Sequence, residues 1–163
     1  MAVSTGVKVT PQAQLKSLIA KFDPKTQRLI SSIRSAVRKR LPTANELVYD
    51  YRTFFVIGYS PSMNGIESVV SIAARHDGVR LYFLNGPKLP DPKKLLQGSA
   101  KQVRYLALES ASRLKHQDIE ALIAAAVANS KIRLPSKGRG ELITKTSAVN
   151  RRPRRKPSRK PHR

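Results

Sequence analysis

Repeated apolar patterning in this chain stops at Leu134, and the charge beyond it is almost wholly cationic. Residues 131–163 hold 13 Lys or Arg against one acid, Glu141, and the last 13 residues alone hold eight cations and three prolines. Such a stretch buries too little apolar surface to offset backbone entropy, and its like charges repel. Residues 131–163 therefore read as a disordered basic arm, so a fold has to be built from the 130 residues before it. That upstream part is itself basic, with 19 cations against nine acids. The whole chain of 163 residues carries +22, yet 40% of it is hydrophobic, enough for one core.

Upstream of the arm the periodicities change in order. Thr10-Pro11 opens a helix reaching about Lys21, with Leu15, Leu18 and Ile19 on one side. Asp23-Pro24 pairs an N-cap acceptor with proline at the first helical position, where the missing N–H costs nothing. Leu29, Ile33, Val37 and Leu41 then recur every four residues until Pro42, an amphipathic helix with a basic outer face. Residues 47–57, rich in aromatic and β-branched types, read as one strand ending at Gly58. Residues 66–74 give a second strand and residues 79–84 a third, joined by a hairpin with Asp77-Gly78 at its tip. A loop with three prolines leads to a short helix around residues 92–96, and residues 103–108 supply a fourth strand. Asp118 caps a last helix with Ile119, Leu122, Ile123, Ala126 and Val127 along one stripe. The fold class is α+β: an antiparallel sheet of about four strands with N- and C-terminal helices packed on it, plus the tail.

Several chemistries are excluded or disfavoured by residue type. The chain has no cysteine, which removes disulfides, thiolate nucleophiles and Cys-ligated metal or iron–sulfur sites. No apolar run reaches the roughly 18–20 residues of a membrane span, and the first residues lack an apolar signal core, so a cytoplasmic location without membrane attachment is expected. There is no Ser-His-Asp signature, phosphate-binding loop or dinucleotide fingerprint, and no enzyme or cofactor is expected. Glu46 and Asp50 are four residues apart, but Asp50 lies in an expected strand, so they need not face each other. His116 and Glu120 stand one helical turn apart, short of the three or more ligands a metal site normally needs. His76 reads as a turn residue and His162 lies alone in the arm.

Two sets of residues suit anion binding. Gly98-Ser99-Ala100-Lys101 with Arg104 has the pattern of a small backbone nest beside two cations, with Tyr49, Tyr51, Tyr82 and Tyr105 as stacking surface for a small anionic ligand. A tight turn into a strand, flanked by solvated cations and half-buried tyrosines, explains the same residues. The second set is the arm: Arg151, Arg152, Arg154, Arg155, Lys156, Arg159, Lys160 and Arg163 would release counterions from nucleic acid, giving non-specific, salt-sensitive binding. The arm has no aromatic ring besides His162, so base stacking by the arm is not expected.

The runs Glu46-Leu47-Val48-Tyr49-Asp50-Tyr51, Val79-Arg80-Leu81-Tyr82-Phe83 and Leu89-Pro90-Asp91-Pro92 resemble the YdhG-like family of small bacterial domains. The most specific block is Leu95-Leu96-Gln97-Gly98-Ser99-Ala100-Lys101-Gln102-Val103-Arg104, similar to that family's run of two leucines, glycine, a small residue, lysine and arginine. Asp118-Ile119 continues the resemblance, which covers about residues 10–130 and leaves the arm outside it. The family is largely of unknown function, and some members are described as frataxin-like intracellular iron chaperones. That implies a compact α+β fold and an acidic iron surface. Here the acids are scattered, Gln97 stands where many relatives carry Glu, and the first long helix is basic. The expected function is a non-enzymatic binding module whose tail holds nucleic acid non-specifically. The alternative is a small-ligand or iron-carrier domain with an incidental tail.

Overall fold

The computed structural model describes residues 9–145, and the eight tail cations named above lie outside them. Thr10 and Asp23 cap the first two helices as their side chains predict. Thr10 Oγ1 accepts from the Ala13 amide at 3.2 Å to start α1 (Pro11–Ile19), and Asp23 Oδ2 accepts from Thr26 at 3.1 Å to start α2 (Pro24–Arg40). The 17 residues of α2 bury Ile30, Ile33 and Val37, spaced three and four apart on one face. The last helix, α3 (Gln117–Ala128), buries Ile119, Leu122 and Ile123. His116 rather than Asp118 is its N-cap, with Nδ1 accepting from the Asp118 amide at 3.3 Å.

The sheet has six strands, not four: β1 (Asn45–Asp50), β2 (Phe55–Ser60), β3 (Val70–Arg75), β4 (Gly78–Phe83), β5 (Arg104–Leu108) and β6 (Leu142–Lys145). Their order is β5-β4-β3-β2-β1-β6, an antiparallel meander with β6 added parallel to β1 at one edge. Two departures produce the extra strands. The run read as one strand over 47–57 contains a tight hairpin. Arg52 adopts φ +69, the Asp50 carboxylate accepts from its amide at 2.8 Å, and the Tyr51 amide donates to the Phe54 carbonyl. The second departure is β6, which lies inside the stretch assigned to the disordered arm, so the folded body reaches Lys145 rather than ending at 130. Gly140 makes this possible. Its amide bonds the Pro42 carbonyl at 3.0 Å, and a Cβ there would overlap the Ala44 carbonyl. Glu141 then exchanges bonds with β1, its amide donating to Asn45 Oδ1 and its carbonyl accepting from the Glu46 amide.

Two further expectations are corrected. Residues 92–96 form a turn, not a helix. Lys94 takes φ +52, and the Asp91 carboxylate accepts from the Leu95 and Leu96 amides, ending the turn before a helix can propagate. The start of the second strand is a short 3-10 turn, Gly65–Glu67, capped by Asn64, which leaves Ile66 83% exposed on a loop.

Register assigns every strand residue to a face. Val48, Ile57, Ile72, Leu81 and Leu106 lie in one cross-strand row, with Phe55, Ala74, Val79 and Leu108 in the next. All are buried in a single core with the apolar stripes of the three helices. The other face, carrying Tyr49, Val56, Ala73, Arg80 and Ala107 in one row, has none of the three α-helix stripes on it, and the loop with the 3-10 turn Gly65–Glu67 packs over its β1–β2 part. Among the described residues no helix is long and apolar enough to cross a membrane.

Candidate nucleic-acid interface

The residues expected to bind an anion do not form one site. Gly98 lies at the β5 edge, φ +110, with a Cβ position 3.5 Å from the Tyr105 ring, where the Gln97 and Tyr105 backbones bridge. Tyr49 and Tyr51 belong to the β1 end of the sheet, four strand spacings or about 19 Å away. Arg104 does not reach outward either. Its guanidinium donates to the Ala100 carbonyl and, at 2.8 Å, to that of Val103, so it closes its own loop. Lys101 is exposed beside that loop. Gly98 thus serves the turn, and the tight-turn explanation fits the block better than a phosphate nest does.

The helix-free face carries a different arrangement, which the sequence shows only in fragments. The β1–β2 hairpin stacks Tyr51 on Phe54 with ring centres 4.9 Å apart and planes 12° from parallel, and Tyr49 stands 6.5 Å from Tyr51. From β3, the Arg75 guanidinium lies over Phe54 at 4.9 Å. From β4, Arg80 lies over the Tyr105 ring at 4.6 Å, and Tyr105 packs against Tyr82 at 5.3 Å. The hairpin residue Asp77 links the two groups, bonding both Arg75 and Arg80 at 3.3 Å. Two aromatic–arginine clusters therefore flank a floor of smaller side chains, Val56, Ser71 and Ala73. The loop over 61–69 closes one end, with Ser68 Oγ only 2.6 Å from where a Cβ on residue 58 would stand, so that Gly58 alone fits there, and the Tyr49 hydroxyl tucked against Gly65. Partial burial and the neighbouring Tyr51 raise the Tyr49 pKa, and the Tyr82 hydrogen bond raises that of Arg80. Sequence reasoning misses Phe54, Arg75 and Arg80 as site residues. Only the strand register brings them beside the tyrosines.

On the covered face a second polar group is internal. Glu46, 1% exposed, accepts from Arg34 Nε at 2.8 Å and Nη2 at 2.9 Å, from Arg38, and from the Tyr59 hydroxyl at 2.9 Å. The Glu46 hydrogen bond raises the Arg34 pKa, while burial, followed by the charge of Glu46, pushes the Tyr59 phenol well above its ordinary range. Every lone pair of this carboxylate is engaged, so it fastens α2 to β1 rather than serving as an acid or base. Asp50 points its carboxylate at Arg52, apart from Glu46. Glu120 pairs with Arg40 and His116 serves its helix cap, and no group of three potential metal-ligating side chains occurs among the described residues.

Comparison with protein-family models, with curated proteins and with solved structures finds no match for this chain.

Proposed function

We propose that this protein is a non-enzymatic, YdhG-like module that binds nucleic acid without sequence preference, through its cationic surface and its basic C-terminal stretch. The observation that carries this reading is the distribution of charge. Residues 9–145 contain all ten acids of the chain and still hold 23 Lys or Arg, a net of +13. Five acids (Glu46, Asp77, Glu109, Asp118 and Glu120) are ion-paired, and together they occupy only seven cations. Sixteen cations have no ion-pair partner among the described residues. A surplus of this size on a folded body, extended by eight more cations at the C-terminus, suits a polyanion.

The test is a salt series with the full chain and a labelled 20-base-pair duplex, alongside a full-length variant with the eight cations of residues 151–163 changed to Gln. The parent should bind with a steep negative slope of log K against log salt. The variant should lose up to about seven of that slope, because each duplex phosphate neutralised contributes roughly 0.9. Absence of duplex binding at 50 mM salt and micromolar protein would overturn the reading.

A second reading, a small-ligand carrier, has one observation in its favour. A cleft of about 510 Å³ lies between the 61–69 loop, the end of β4 and the last turn of α3, lined by Ile66, Val69, Phe83, Leu89, Val103 and Ile132. Its size and mixed walls, in which Asn64, Glu67 and Asn129 stand among the apolar side chains, suit a small molecule. The apolar anion anilinonaphthalene sulfonate should then brighten on binding the parent and not Ala126→Trp, which fills the cleft, while oligonucleotide affinity stays unchanged.

A further inference from the structure

We infer that the helix-free sheet face is a base-stacking platform for single-stranded nucleic acid, an inference that rests on the proposed polyanion binding and assigns it a place and a preferred strand state. A sheet face without a covering layer ordinarily carries small or charged side chains toward water. This one gathers four of the chain's five tyrosines, Tyr49, Tyr51, Tyr82 and Tyr105, with Phe54 and two arginines. The rings are flat, held by their neighbours and only half-buried, so they present surface without ordering cost on binding. Arg75 and Arg80 lie over ring faces, where their own planes extend the stacking surface, while Arg75 Nε and Arg80 Nη2 donate to Asp77 and Arg80 Nη1 to the Tyr82 hydroxyl.

The choice of occupant rests on three properties of the face. Its one ion-paired carboxylate, Asp77, is shared by two guanidiniums, so the patch keeps a positive balance that favours a polyanion. Between its rings lie Val56 and the buried small side chains Ser71 and Ala73 rather than a groove with apolar walls, which suits planar groups laid on the rings more than an amphipathic helix. From Tyr51 to Tyr105 the two clusters span about four strand spacings, roughly 19 Å, matching the smallest sites of single-strand binders, about four nucleotides. A duplex keeps its bases stacked inside and offers such rings nothing but backbone.

Because the chain has no tryptophan, its fluorescence is tyrosine emission, and Tyr59 is the only one of the five away from this face, buried against Glu46. Full-length protein is titrated with a thymidine 15-mer, with a 15-mer of the same phosphates but abasic sugars, and with a 15-base-pair duplex, all at one salt concentration. The expected result is quenching of at least half the emission by the thymidine strand, with affinity at least tenfold above the abasic strand. Full-length Tyr51→Leu with Tyr105→Leu, which keeps apolar volume, should bring the thymidine strand down to the abasic affinity. Equal affinity for thymidine and abasic strands without quenching would overturn the platform while leaving electrostatic binding in place. Binding to none of the three would overturn both.

Discussion

The two faces of the sheet use the same residue types to opposite ends. On the covered face two arginines and a tyrosine, Arg34, Arg38 and Tyr59, converge on a single buried carboxylate. On the open face Arg75, Arg80 and four tyrosines spread out, touching ring planes, with Asp77 as a shared and exposed tether. Depth decides which arrangement is viable. The depth that differs is the carboxylate's, Glu46 being 1% exposed and Asp77 60%, and a buried carboxylate needs full counter-charge because desolvation of an unpaired ion costs several kcal/mol. An exposed carboxylate such as Asp77 keeps its own water, so the arginines beside it are free to lie on rings. An Arg-Tyr pair is thus a structural clasp below the surface and a contact surface at it.

The comparison breaks most visibly at Glu46. Glu46→Ala strands two arginines, 28% and 26% exposed, with no counter-charge, and should cost about 3 kcal/mol of stability. A urea midpoint shift at unchanged slope would measure it, and a loss below about 1 kcal/mol would mean the cluster is as dispensable as a surface pair. Next in size, Gly140→Ala drives a methyl group into the Ala44 carbonyl and should cost about 1–3 kcal/mol. Hydrogen exchange should show β1 amides opening first.

Tyr59→Phe removes one hydrogen bond to a carboxylate and should cost about 1.5–3 kcal/mol near neutral pH. It also changes the alkaline limb. Folded Tyr59 keeps its proton well above the ordinary phenol value, so above about pH 10 the unfolded state releases a proton that the folded state holds. Stability must therefore fall as pH rises past 10, and the slope should be shallower in Tyr59→Phe when melting is followed from pH 9 to 11. The smallest effect belongs to the open face. Arg75→Gln loses a cation–ring contact and a half-exposed ion pair, together within about 1 kcal/mol. If it destabilises as much as Glu46→Ala, the two faces are not different in kind.

Legibility in the sequence tracks the range of each interaction. The capped starts of α1 and α2, the Asp77-Gly78 hairpin and the alternation of Val79, Leu81 and Phe83 are readable because neighbours in sequence carry them. The hairpin at Arg52 is not, since a left-handed arginine announces nothing by residue type and its stabilising partner is a single Asp50 side chain. β6 is hidden for another reason. Its four residues are averaged with the charge of the segment around them, and its partner strand lies about a hundred residues earlier. The open-face clusters depend on which residues of β3, β4 and β5 stand side by side, and the Gly98 block looks like a site because its arginine's true acceptors are carbonyls of its own loop.

The parallel pairing of β6 also sets a schedule. Asn45 and Glu141, which bond each other, are 96 residues apart, so β1 has to be synthesised long before its edge can be covered. At the usual ribosomal pace of about 5–20 residues per second, that leaves the strand open for roughly 5–20 seconds in every round of translation. During that interval Leu47 and Val48 sit on an uncapped edge, the kind of surface that recruits other chains. Ribosome pausing, premature stops or clipping before residue 141 would therefore show up first as insolubility, ahead of any loss of binding.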